Sequence, residues 1–348
     1  MSFRGGTLAS MDDQRHHDAR SQCKSTDGDT SERSALSRRE LLAAGLGSAL
    51  LLGAGPAPSP SQGSASGAAQ EEKRAMITRP IPRTGEQLPV IGLGTWQTFN
   101  VGTDAKERAP LRDVLKRFLE RGGRVIDSSP MYDRAELVVG ELLAELGQAR
   151  TPFLASKVWT MGRAEGEQQM RTSIQRMGRG RMDLMQVHNL VDVRTHLATL
   201  REWQEAGHIR YVGVTHYQPS AFDALEKLIR QETIDFVQLP YSIVQREVEA
   251  KLLPACAERG VAVLVMSPFE QGGLFEKVRG KPLPPWAADF DCSSWAQYFL
   301  KFILGHPAVT CPIPATSNPK HLEDNLKAGF GRLPDEKTRA KMVKHLGL

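Results

Sequence analysis

Arg124-Val-Ile-Asp-Ser-Ser-Pro-Met-Tyr132, Phe153-Leu-Ala-Ser-Lys157 and Leu184-Met-Gln-Val-His188 are three successive apolar runs, and each stops at polar or charged groups. Short apolar runs bounded by turn residues read as buried strands. In a parallel α/β barrel the chemistry sits at the carboxyl ends of such strands. Side by side, these runs gather Asp127, Tyr132, Lys157 and His188 into one acid–base centre. A tyrosine ionises near pKa ~10, and an adjacent ammonium favours the phenolate and lowers that value, toward the range useful for proton transfer. Such a centre suits a reaction in which an oxygen gains a proton as its carbon gains a hydride.

The same alternation continues on both sides. Strand-like runs cover 91–96, 124–128, 153–158, 183–188, 211–215, 235–240, 261–267 and 309–314. Amphipathic stretches at 110–121, 135–147, 165–177, 195–206, 219–231, 246–259 and 293–304 separate them, and 318–328 follows the last. Eight β-runs with helical crossovers in about 250 residues predict a (β/α)8 barrel. Pro82-Arg-Thr-Gly-Glu-Gln-Leu-Pro89 reads as a tight hairpin capping its floor. The competing architecture is a doubly wound sheet, which would carry Gly-x-Gly-x-x-Gly between a strand and a helix. Gly92-Leu-Gly94 runs on into Thr-Trp-Gln with no helical pattern, so the barrel is preferred.

The chain has 348 residues, enough for one large domain and a sizeable core. Its 45 basic and 40 acidic side chains leave a formal charge of +5. Residues 1–69 contain seven of each sign, so the excess belongs to the remainder. No Lys/Arg-dense block with interleaved aromatics is present, which argues against a nucleic-acid partner. A modest excess helps attract an anionic ligand. Cys23, Cys256, Cys292 and Cys311 form neither a Cys-x-x-Cys pair nor a metal-spaced cluster. They read as separate thiols, and no metal is expected.

Residues 1–36 are polar and aperiodic and read as a disordered segment. Ser37-Arg38-Arg39-Glu40-Leu41-Leu42 then opens an Ala/Gly/Leu run to about Gly55, followed by a Pro/Ser/Gly/Ala stretch to Ala69. Paired arginines before a short, weakly apolar run look like a twin-arginine export signal, with small residues at Ala68 and Ala69 suited to cleavage. The run is shorter than the roughly 20 residues a membrane span needs, so no stable span is expected after export. The chain thus divides into a leader with signal peptide (1–69) and a barrel (70–348). The mature protein is expected in the periplasm or otherwise outside the cytoplasm, with the twin-arginine machinery as a transient partner. If the pair belongs only to a low-complexity leader, the protein stays cytoplasmic.

Over roughly residues 80–328 the sequence resembles the aldo/keto reductase family. The resemblance rests on Ile-Gly-Leu-Gly-Thr-Trp (91–96), the Asp127–Tyr132 segment, Ser-Lys (156–157), Gln-Val-His (186–188) and Gly-Val-Thr-His-Tyr (213–217). It continues through Val-Gln-Leu-Pro-Tyr-Ser (237–242), Ser-Pro-Phe (267–269) and Ile-Pro-Ala-Thr-Ser-Asn-Pro (313–319), with Asn325 beyond. It implies an NAD(P)H-dependent reduction of a small-molecule carbonyl. Tyr132 would be the proton donor, Lys157 and Asp127 its tuning pair, and His188 the group orienting the carbonyl.

By the same resemblance, Gly94 and Thr95 border the cofactor. Thr215, His216 and Gln238 would hold the nicotinamide amide, and Tyr241 would stack on its ring. Ser267, Phe269 and the loop to Leu274 would cover the pyrophosphate. Thr316, Ser317, Lys320, His321 and Asn325 would serve the adenosine end. Family members selective for NADPH usually carry a lysine after Ile-Pro and an arginine six positions on; here those positions hold Ala315 and His321. NADP is favoured, with NAD the alternative. Asp133 stands where glycine commonly follows the tyrosine and is read either as a rim ion pair with Arg134 or as a charge that disfavours anionic substrates. Trp96, Trp159 and Trp286 are read as flanking an open pocket. Two other functions compete: a cofactor-binding regulatory protein on the same barrel, and a barrel hydrolase, which would need a second carboxylate facing Asp127.

Overall fold

The computed structural model describes residues 75–348; the leader and signal-peptide readings lie outside them. A hairpin of β1 (Thr78–Pro80) and β2 (Gln87–Pro89) pairs antiparallel. Then come β3 (Leu93–Gly94), β4 (Val125–Asp127), β5 (Phe153–Val158), β6 (Met182–His188), β7 (Ile209–Thr215), β8 (Phe236–Pro240), β9 (Ala262–Met266) and β10 (Cys311–Pro312). These pair in sequence order, all parallel. A bridge from Gly94 to Ala315 and a hydrogen bond from Gly92 N to Pro312 O (2.9 Å) join the first strand to the segment around the last. The sheet thereby closes as the expected barrel.

The helices are α1 (Ala105–Glu120), α2 (Ala135–Glu145), α3 (Arg163–Arg176), α4 (Val193–Glu205), α5 (Phe222–Gln231), α6 (Leu252–Arg259), the short α7 (Gly273–Lys277), α8 (Trp295–Leu304), α9 (Pro319–Lys327) and α10 (Glu336–His345). α1 begins about a turn and a half before the expected start, because the Asp104 carboxylate accepts from Lys106 N at 2.7 Å and caps it there. α10 has no counterpart in the sequence reading. Its sequence, Glu-Lys-Thr-Arg-Ala-Lys-Met-Val-Lys-His, buries only Arg339, Met342 and Val343, too few for an apolar period. Among the described residues no helix is long and apolar enough to cross a membrane.

Two buried layers follow from the period-2 alternation of side chains along a strand. Val125, Phe153, Ala155, Leu184, Tyr211, Phe236, Ala262, Leu264, Cys311 and Ile313 form one apolar cluster inside the barrel, and Ile81 and Leu88 of the hairpin join it. The hairpin is thus the floor plug, pinned further by Tyr211 OH donating to Glu86 Oε2 at 2.5 Å. Intervening residues such as Ile126, Leu154, Val187, Val237 and Val265 pack outward among the helices. Continued upward, the interior parity reaches Asp127, Lys157, Gln186, His188, Thr215 and Gln238. The inside of the barrel therefore changes from apolar floor to polar top. Gly213 lies within this column because a Cβ there would stand 3.0 Å from Gln186 Cγ and 3.1 Å from Phe236 O.

Candidate active site

The carboxyl ends of β4, β5 and β6 bring together the residues singled out from the sequence. Lys157 is fully buried, and its ammonium donates to Asp127 Oδ2 at 2.6 Å and to Ser128 O at 2.7 Å. A buried ammonium is costly unless paired, and here it has both a counter-ion and a carbonyl. Asp127 Oδ1 accepts from Gln186 Nε2 at 3.1 Å and from Gln238 Nε2 at 2.9 Å. The carboxylate is thus held by donors from three other strands, β5, β6 and β8. The sequence assigns Gln186 no role. Its signal was its parity, two residues before His188 on a strand buried throughout.

Tyr132 follows β4 on a tight turn in which its N–H donates to Ser129 O at 3.0 Å. The Lys157 ammonium stands 5.1 Å from the centre of its ring. His188 meets that ring edge-on, centroids 6.1 Å apart, and Trp159 lies 6.5 Å beyond the imidazole. Burial raises the Tyr132 pKa above the ordinary tyrosine value; the Lys157 ammonium pulls it down, less strongly, and the Asp127 charge pushes it up again. The phenol is accordingly held protonated, whereas the sequence alone suggested a lowered pKa; desolvation outweighs the neighbouring charge. For Lys157 burial is the largest single influence and disfavours the ammonium, but Asp127 and Tyr132 together outweigh it and the net shift is upward. His188 is pushed down to about 3, by burial first and then by Lys157 and His216, so its imidazole is neutral at physiological pH.

Three sequence assignments are corrected. Tyr241 cannot stack on a ligand in the mouth: it is fully buried, packs against Phe302 and His306, and its hydroxyl binds Glu249 and Arg339. Tyr241 and Gln238 are three residues apart and so have opposite parity, and Tyr241 falls on the helix side. The interior strand end in that sector is Met266, paired in register with Pro240. Trp286 is also drawn away: it packs on Tyr298 and His345 and lies under the Lys341 ammonium, 4.1 Å from its ring centre. Asp133 makes no pair with Arg134. It adopts φ 50° and accepts from Asn100 Nδ2 at 2.8 Å, while Arg134 Nε donates to Val101 O at 3.1 Å. Left-handed backbone explains why glycine is common at this position.

The remaining assignments fall around the same mouth. Trp96 and Trp159 are both exposed on the loops after β3 and β5. Thr95 is buried and donates to Asp127 O at 3.0 Å. Gly94 lies against the last barrel segment, where a Cβ would come 2.7 Å from Ile313 O. Thr215 Oγ1 donates to Gln238 Oε1 at 3.4 Å. The His216 ring accepts from Gln218 N at Nδ1 (3.1 Å), which leaves Nε2 to carry its proton and donate. The segment after β9 turns through left-handed Ser267, Glu270, Gln271 and Gly272, with Phe269 between them. Ser242 Oγ ties it down by donating to Glu270 at 2.5 Å. At the start of α9, Asn318 caps by accepting from Lys320 N at 2.9 Å, and Thr316 Oγ1 accepts from Asn318 N at 3.1 Å. Ser317, Lys320 and His321 are exposed there, whereas Asn325 is buried. The polar cluster of Thr215, His216 and Gln238, the left-handed loop and the helix N-terminus fit a dinucleotide. Tyr241 does not supply the aromatic stacking partner.

The chain belongs to the aldo/keto reductase family, whose model matches residues 90–342. It is 29% identical over 216 residues to the aldo-keto reductase YhdN of Bacillus subtilis, a match covering 57% of this chain and 63% of that one, under two thirds of the relative's length. It is 28% identical to the methylglyoxal reductase YeaE of Escherichia coli, over 68% of this chain and 84% of the relative. An aldo/keto reductase from Klebsiella pneumoniae solved with NADP and acetate superposes with a TM-score of 0.62 at 25% identity, covering 75% of this chain and 93% of that one.

Proposed function

We propose that this protein reduces an aldehyde or ketone to the alcohol, using NADPH, with Tyr132 as proton donor. The observation that carries the reading is the convergence of Tyr132 with the buried Lys157–Asp127 pair and the His188 ring. When bound, the nicotinamide supplies the hydride. Thr215, His216 and Gln238 would hold its amide, the 267–272 loop its pyrophosphate, and the first turn of α9 its adenosine end. His188 orients the carbonyl oxygen toward Tyr132. Tyr132 gives that oxygen its proton, and Lys157 offsets the negative charge left on the phenol. Trp96 and Trp159 shield one side of the mouth from water. Nucleotide oxidation followed against a panel of aldehydes and ketones tests the reading. Tight nucleotide binding with no turnover on any carbonyl would replace it with a regulatory role.

The adenosine end yields a quantitative expectation. Lys320 and His321 stand in for the lysine–arginine pair of NADPH-selective relatives, and both are exposed. A charge-assisted hydrogen bond contributes about 1.5–3 kcal/mol, less where solvent and salt screen it. NADPH is expected to bind about ten- to a hundredfold more tightly than NADH, at 1.4 kcal/mol per factor of ten, and the gap is expected to narrow as ionic strength rises. Dissociation constants from nicotinamide fluorescence at low and high salt check it; equal affinities would show that these side chains do not face the 2′-phosphate.

We also propose export through the twin-arginine route, on the strength of Arg38-Arg39 and the short apolar run that follows. Replacing Arg38 and Arg39 together by lysine is expected to hold the full-length precursor in the cytoplasm. Fractionation with N-terminal sequencing checks this, and a mature form beginning near Gln70 in the double variant would contradict it.

A further inference from the structure

We propose that Ser129 is a positioning residue that fixes the tautomer of His188, so that the imidazole presents Nε2–H to the substrate oxygen; this rests on the carbonyl-reductase reading above. Ser129 is fully buried, and its Oγ lies 3.0 Å from His188 Nδ1. The same oxygen accepts the Met131 N–H at 3.3 Å, and the Ser129 carbonyl accepts the Tyr132 N–H at 3.0 Å. One residue therefore supports both the turn that carries the proton donor and the ring that faces it.

The direction of the Ser129–His188 bond follows from counting donors. A serine hydroxyl has one hydrogen and two lone pairs. The Met131 amide takes a lone pair. Among the described residues, His188 Nδ1 is the acceptor within reach of the hydroxyl hydrogen, since Thr95 bonds to Ser128 instead. If Nδ1 carried the imidazole proton and donated to Oγ, the serine hydrogen would be buried without a partner, the costly arrangement for a polar group. The hydroxyl therefore donates, Nδ1 accepts, and the single proton of the neutral ring resides on Nε2. His188 was already a neutral group by its burial; Ser129 decides which nitrogen is the donor. A ring in the other tautomer would offer a lone pair to the carbonyl oxygen and repel it.

Two substitutions separate this from a packing role. Ser129→Ala removes the hydroxyl with little change of volume, and Ser129→Thr keeps it. The direct readout is the ring-nitrogen NMR spectrum of His188 near neutral pH, taken without substrate. Wild type and Ser129→Thr are expected to show protonated Nε2 and unprotonated Nδ1, and Ser129→Ala a mixture of tautomers. Turnover with a generic aldehyde is expected to fall about tenfold or more in Ser129→Ala, as expected for loss of an aligned donor worth at least one factor of ten, with NADPH affinity unchanged and turnover restored in Ser129→Thr. A wild-type ring protonated on Nδ1, an unchanged tautomer in Ser129→Ala, or full turnover despite a changed tautomer would each overturn the proposal. Failure of the wild type to reduce any carbonyl would instead sink the reductase reading, while the nitrogen spectrum would still report on Ser129.

Discussion

Tyr132→Phe is expected to lower kcat for aldehyde reduction by about 10²- to 10⁴-fold, the usual contribution of a positioned general acid, with NADPH affinity essentially unchanged. The ring remains to pack beneath the Lys157 ammonium and against the His188 edge, so only the proton is withdrawn. The pH dependence carries the same information. The Tyr132 pKa is raised by burial, so the acid form needed for reduction persists through neutrality. Reduction by the wild type is expected to be flat there and to fall only as pH climbs past the ordinary tyrosine value of ~10. Alcohol oxidation needs the phenolate and should rise over the same alkaline range. Retention of most wild-type turnover in Tyr132→Phe, or a reduction rate that already falls near neutrality, would remove Tyr132 from the role of acid.

Much of this geometry was legible because parallel barrels leave two strong marks in a sequence. Residues 153–158 form a strand over the expected span and 183–188 all but one residue of the observed β6, since nothing but burial on both faces explains such runs. A charged residue closing a run then has little choice but the mouth, as with Lys157. Two of the misplaced residues share one physical origin. α10 is polar along most of its length, and its anchors are a buried arginine and two apolar residues rather than a stripe. That unseen helix captures both misplaced aromatics, Arg339 binding the Tyr241 hydroxyl and Lys341 and His345 covering Trp286. For Tyr241 the opposite parity to Gln238 is readable in the sequence and argues against the stacking role that the resemblance implied. At Asp133 the one readable sign of left-handed backbone was the glycine that relatives carry there, since aspartate itself tolerates that conformation.

Lys157→Met probes the pair on which the site is built, and its expected effects are on stability as well as rate. Removing the ammonium leaves the Asp127 carboxylate buried with only the amides of Gln186 and Gln238 as donors. Breaking a buried ion pair from one side costs about 3–5 kcal/mol, so the denaturation midpoint should drop sharply. The Ser128 carbonyl also loses its donor, which loosens the turn leading to Tyr132. Turnover should fall by at least the hundredfold at the low end for general acid loss, because the charge that opposes the burial of Tyr132 is gone. The discriminating variant adds Asp127→Asn. An uncharged Asn/Met combination no longer buries a lone carboxylate, and much of the lost stability should return, since replacing both members of a buried pair is often close to neutral. Activity should not return, because neither substitution restores a charge beside the phenol. Coupling of this kind is what a double-mutant cycle measures. If Lys157→Met were as stable as wild type, the buried pair would not be load for the fold. Recovery of both stability and turnover in the double variant would mean that the ion pair only holds strands together and takes no part in moving the proton.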